Sequence, residues 1–182
     1  MNTGLISPAG DYKRLLSYQK TNVVFLITCY FCEKFLRRGD RTIDQMVQAA
    51  RSGKQNIIEG CAACPTSIKT GIKLLNVAKA SLKELVEDYE DFLKVHCNRQ
   101  WEKGSTEFET MRNLGATHND YEFFRPIVES RPPETVANMA IILINQADYL
   151  LFKQIGRLEE KFLAEGGFSE KMTAMRKKQR GY

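Results

Sequence analysis

Cys61-Ala-Ala-Cys64 is a motif whose spacing matches a known kind of chemistry, that of C-x-x-C redox and zinc sites. Tetrahedral zinc needs two further ligands, and His96-Cys97 is the obvious pair. A continuous helix between the pairs, rising 1.5 Å per residue, would hold them about 45 Å apart. Thioredoxin-type chemistry requires a βαβ setting, which the flanking residues do not offer. No metal or cofactor is therefore expected, and Cys29 and Cys32 read as small apolar fillers. Glu59 could serve acid–base work, but no histidine or second carboxylate shares its helical face. A structural hydrogen bond to a neighbouring helix or subunit is expected instead. No residue is assigned a catalytic role, and the chain is read as a non-enzyme. Trp101, Tyr121, Phe123 and Phe124 suit either stacking on a base or partner, or pinning a loop.

Cations carry the other candidate chemistry. Residues 37–79 set Arg37, Arg38, Arg41, Arg51, Lys54, Lys69, Lys73 and Lys79 against Asp40, Asp44 and Glu59. Arg176, Lys177, Lys178 and Arg180 form a second cluster in the tail. Both groups could meet phosphates, though a net charge of +5 permits such a partner without demanding one. The other reading is internal neutralisation. Antiparallel packing would bring Glu84, Glu87, Asp88, Glu90 and Asp91 close to Arg37, Arg38 and Arg41. Arg51, Lys54, Lys69 and Lys73 flank a different turn, so they are expected to have the fewest internal partners.

Helices must position all of these groups, and the spacing of apolar residues predicts four long ones in a single domain, residues 1–182. The first spans about 11–36. Its middle, VVFLITCYFC, is apolar on every side and β-branched enough to read as strand, but its flanks favour helix. The second spans about 41–62, opens behind Asp40 as a capping carboxylate and follows Gly39 as a stop. The third spans about 66–97, with Pro65 as a first-turn proline. The fourth spans about 134–165, ending at Gly166-Gly167. Between the third and fourth lies an irregular insertion, 98–133, in which 106–114 and 121–128 could be short helices. A basic tail, 166–182, closes the chain. Short connections make the first three helices antiparallel neighbours. The fold class expected is an all-α, antiparallel up-down four-helix bundle.

The second helix also carries a polar stripe, Gln45, Gln48, Ser52, Asn56 and Glu59. Amides and small residues stand there where a solvated face would hold lysine and glutamate, which suits a seam packed on another polar surface. The first and third helices hold more apolar surface than four helices can bury, which points to a homo-oligomer. No charged start and apolar core marks a signal peptide, and Val23–Cys32 is too short to span a bilayer. With five cysteines and no export signal, a cytoplasmic protein with reduced thiols and no membrane contact is expected.

The chain resembles a known family at three places. Tyr18-Gln19-Lys20 is the first. Gln45, Met46, Ala49, Ala50 and Ser52, followed by Asn56, Ile57, Glu59 and Gly60, are the second, and Ala78-x-x-Ser81-x-x-x-Leu85 is the third. Together they are similar to the bacterial four-helix-bundle proteins called rRNA intervening-sequence proteins, over roughly residues 12–97. Helix four and the tail look like the C-terminal suffix of one subgroup. The resemblance implies a barrel-like homopentamer without enzymatic activity. In one branch, the accessory proteins of diversity-generating retroelements, it implies binding to RNA or DNA and to a reverse transcriptase. Two departures stand out: the turn CAACPTS is about two residues longer than the family's, and Lys69-Thr70-Gly71 replaces its Lys-Glu-Phe. A protein–protein scaffold without nucleic-acid affinity is the alternative function.

Overall fold

The computed structural model describes residues 11–165, 172–173 and 176–177, and within them the chain is all-helical with no strand. A 3-10 turn, Tyr12–Arg14, precedes α1 (Leu16–Phe35). Then come α2 (Arg41–Ala63), α3 (Ile68–Val95), α4 (Thr106–Thr117), α5 (Tyr121–Glu129) and α6 (Pro133–Glu165). Polar side chains set the starts. Asp40, Ser67, Ser105 and Asp120 each accept a hydrogen bond from an amide of the first turn, at 2.9, 3.2, 3.3 and 2.9 Å. Gly39, at φ +90°, makes the reversal before α2 that a side chain would resist.

Several boundaries differ from expectation. α1 starts at Leu16 because Leu15 is extended and breaks the helix begun at Tyr12. Pro65 lies in the turn after α2 rather than in α3, which Ser67 caps instead. α3 stops at Val95, where Cys97 takes a left-handed φ of +54° and Asn98 donates back to the Leu93 carbonyl at 2.8 Å. That closure is a Schellman motif, with cysteine where glycine is usual. The insertion is not irregular. Ser105 and Asp120 cap two real helices there, α4 and α5. The Gly166-Gly167 stop lies outside the described residues.

α1 packs on α2 and α6, and α3 packs on the same two. Lys54 of α2 reaches back to Phe25 of α1, and Cys32 meets Met46, so these helices run antiparallel. Gly60 abuts Gly71, and Gly53 abuts Leu82, so α2 and α3 do the same. Ser17, at the start of α1, meets Gln154 near the end of α6. The core between them holds Ile27, Phe31, Met46, Leu75, Leu82 and Leu143, all fully buried. Each such side chain contributes about 1.5–3 kcal/mol. At one end Phe31 meets Tyr89 and Phe92 edge-on, at 5.0 and 4.8 Å between ring centres.

α5 lies on α1 and α4 lies on α6. α5 covers part of the apolar surface of α1 that pointed to a second subunit. α6 is long and apolar enough, by length and composition, to cross a membrane, with 61% of that stretch buried inside the chain. A core helix has the same composition.

Candidate functional site

The predicted cations fall into two classes. Lys54 and Lys79 are engaged inside the chain: the Lys54 ammonium sits 3.7 Å from the centre of the Phe25 ring. Burial, with the Arg51 guanidinium nearby, lowers the Lys54 pKa. Lys79 pairs with Asp148 at 3.6 Å and stands 5.3 Å from the Phe152 ring. Arg37, Arg38, Arg41, Arg51, Lys69 and Lys73 are exposed, and none forms an ion pair among the described residues.

This bears on the expectation for Lys54 and on the alternative of internal neutralisation. Lys54 is not among the free cations, because α1 presents an aromatic face to it. Nor do the arginines at 37, 38 and 41 neutralise the end of α3. Burial and the like charges of Asp91, Glu84 and Glu87 raise the Asp88 pKa, with no guanidinium to offset them. In the tail, Arg176 and Lys177 are exposed, while Lys178 and Arg180 lie outside the described residues.

The polar stripe of α2 divides along its length. Ser52 shares a 2.9 Å hydrogen bond with Ser81 of α3, and Asn56 donates to the Ser52 carbonyl at 3.0 Å. Gln45, Gln48 and Glu59 face outward and are exposed. Within this chain, then, Glu59 is not packed against a neighbouring helix. The stripe rotates outward on either side of the Ser52–Ser81 contact.

Cys61 and Cys64 are half-buried at the end of α2. α3 is one continuous helix of 28 residues, so His96 and Cys97 lie about 42 Å away at its far end. Among the described residues no three His, Cys, Asp or Glu side chains are grouped to hold a metal ion. Burial raises both thiol pKa values, and it pushes that of Cys32, in the core, up to about 12. The insertion aromatics dock onto the helices. Phe124 is fully buried, Phe123 stacks on His118 at 3.5 Å, and the Trp101 amide donates to Asn138 at 2.7 Å.

Three features were not read from the sequence. Lys20 is 1% exposed and donates to the carbonyls of Gly115 and His118 at the end of α4. A lysine in an apolar helix gives no local sign of a partner 95 residues away. Tyr149 and Phe152 of α6 are exposed, at 58% and 61%. The third is a cleft of about 800 Å³ where the start of α1, the α2–α3 turn and the last turns of α6 converge. Its signal was present in α6, as Lys153, Arg157 and Lys161 four residues apart. Compared with known proteins, the chain matches no family model, no curated protein and no solved structure.

Proposed function

We propose that the chain is an up-down four-helix bundle of α1, α2, α3 and α6, with α4 and α5 as an insertion. On this reading it is a non-enzymatic, cytoplasmic protein that binds the phosphate backbone of RNA or DNA and assembles with copies of itself. The resemblance to rRNA intervening-sequence proteins suggests the class, a homopentamer and an accessory role beside an enzyme such as a reverse transcriptase. The packing of each long helix on two others supports the bundle. The most strongly perturbed groups, Lys20, Tyr89 and Cys32, support a non-enzyme, because each is sealed in the core at 0–1% exposure, where substrate has no access.

One observation carries the nucleic-acid reading. Arg37, Arg38, Arg41, Arg51, Lys69 and Lys73 stand exposed with no carboxylate partner among the described residues, whereas Lys79 is ion-paired. Cations left free of carboxylates keep their charge for phosphate. The test is the salt dependence of binding to RNA and to DNA. Replacing these six with glutamine should lower the slope of log K against log salt by roughly 0.7–0.9 for each phosphate that is no longer neutralised. Arg37, Arg38 and Arg41 should contribute as much per residue as the others, since no carboxylate competes for them. Absence of binding at low salt would replace this reading with the scaffold. That alternative draws on exposed Val77, Tyr149 and Phe152, apolar groups suited to a protein partner.

A further inference from the structure

We propose that the cleft between the first turn of α1, the α2–α3 turn and the end of α6 binds a small amphipathic anion, an aliphatic body with a carboxylate or phosphate head. The cleft's volume, about 800 Å³, lies within the range of ligand sites. Leu15, Ile68, Leu150 and Leu158 supply apolar wall. The described lining also holds the cations Arg14, Lys153, Arg157 and Lys161, of which Lys153 stands 5.7 Å from the Tyr149 ring, against Asp11 alone. The Asp11 carboxylate already accepts the Lys13 amide at 3.1 Å, and none of the four cations is ion-paired among the described residues.

The three cations of α6 fall at i, i+4 and i+8, on one stripe of the helix. Like charges at that spacing repel one another along the helix, and Asp11, the one carboxylate among the described lining residues, is ion-paired with none of them. An anionic head would offset that repulsion. The interior polar groups satisfy one another. Ser17 donates to Gln154 at 2.6 Å, and Gln154 donates to the Cys61 sulfur at 3.9 Å. They leave the inner wall with little demand for water, which suits an aliphatic body. Lys161 and Cys64 line the same cleft.

The experiment uses the full chain and four probes below their micelle concentrations: dodecyl phosphate, laurate, dodecanol and dodecyltrimethylammonium. Calorimetry reads affinity, and mass spectrometry reads the alkylation rate of each cysteine. One or both anions should bind with a Kd on the order of micromolar, and the neutral and cationic probes at least about 10-fold more weakly. Bound anion should slow alkylation of Cys61 and Cys64 and leave exposed Cys97 unchanged. Arg157→Gln with Lys161→Gln should weaken anion binding at least about 10-fold, a loss of roughly 1.4 kcal/mol or more. Arg37→Gln with Arg38→Gln should not. Whether phosphate or carboxylate binds tighter identifies the head group. Vesicles containing phosphatidylglycerol test a membrane source: binding to vesicles without binding to free probes overturns the proposal. So does equal affinity for all four probes, or no saturable binding up to about 1 mM. The nucleic-acid reading stands or falls separately, because none of its six cations lines the cleft.

Discussion

Lys20 holds a charge in the protein interior with no carboxylate against it among the described residues. Its ammonium reaches from α1 to the last carbonyls of α4, at Gly115 and His118, groups that a helix end leaves without partners. The contact fastens the end of α4 to α1. Burial lowers the Lys20 pKa to about 8, from the 10.5 of an exposed lysine. The sign follows from proton binding. Between those values the unfolded chain holds a proton that the folded chain has released, so raising pH favours folding. The stabilisation is complete above about 10.5 and is lost as pH falls through about 8. Relative to Lys20→Met, the unmodified protein should therefore gain stability between pH 7.5 and 10.5, by roughly 2–3 kcal/mol at about 1.4 kcal/mol per pKa unit. Urea titrations of both proteins across that range measure it. A constant difference would show that the carbonyls solvate the ammonium as well as water does.

At the scale of elements, the α2–α3 pair is set by small residues. A β-carbon on Gly71 would lie 3.0 Å from the Gly60 carbonyl oxygen and collide with the Cys64 sulfur. On Gly53 the neighbour at 3.0 Å is a methyl of Leu82, which can turn aside. Gly71→Ala should therefore destabilise by about 1–3 kcal/mol through overpacking. Cys64→Ala in the same chain should restore part of that loss, leaving the backbone contact. Gly53→Ala should be close to neutral, because the helix gain of alanine over glycine, about 1 kcal/mol, offsets a small shift of Leu82. Thermal unfolding of the four proteins decides it, and equal loss at both glycines would mean that Leu82 cannot turn aside. The insertion is held by comparable detail. Buried Asn138 of α6 accepts from the Trp101 amide and donates to the Arg99 carbonyl at 2.9 Å, so the segment before α4 runs along α6.

For the whole molecule, the surface left over bears on assembly. α5 covers part of α1, which reduces the apolar excess there that pointed to a homo-oligomer. The exposed surface includes Gln45, Gln48 and Glu59 of the α2 stripe and, among apolar residues, Val77, Tyr149 and Phe152. Glu59 belongs to that surface. If the stripe is a subunit seam, Glu59→Ala should leave the melting temperature of dilute monomer unchanged. At concentrations where the protein sediments as an oligomer, it should lower stability by roughly 1–3 kcal/mol, because a buried partner loses its acceptor. Sedimentation together with melting at two concentrations tests this. A loss that is the same at both would place the effect inside one chain.

Local patterns sufficed for what depends on neighbours in sequence. Asp40 as a cap, Gly39 as a reversal and the spans of α2 and α6 all follow from rules that act within a few residues. Leu75 and Leu82, seven residues apart on α3, are both buried, as helical period requires. Partners distant along the chain were decided by folding alone. The α2 stripe was legible as amides, but whether Glu59 points into a seam depends on how α3 sits against α2. Lys54 and Arg51 look equivalent in sequence, yet one lies on the Phe25 ring and the other in solvent, because α1 crosses only the first. Lys20 finds its carbonyls, and Lys153, Arg157 and Lys161 find Arg14, only once the elements that carry them are packed together. A sequence period fixes which face of a helix a residue occupies; what meets that face is a property of the assembled fold.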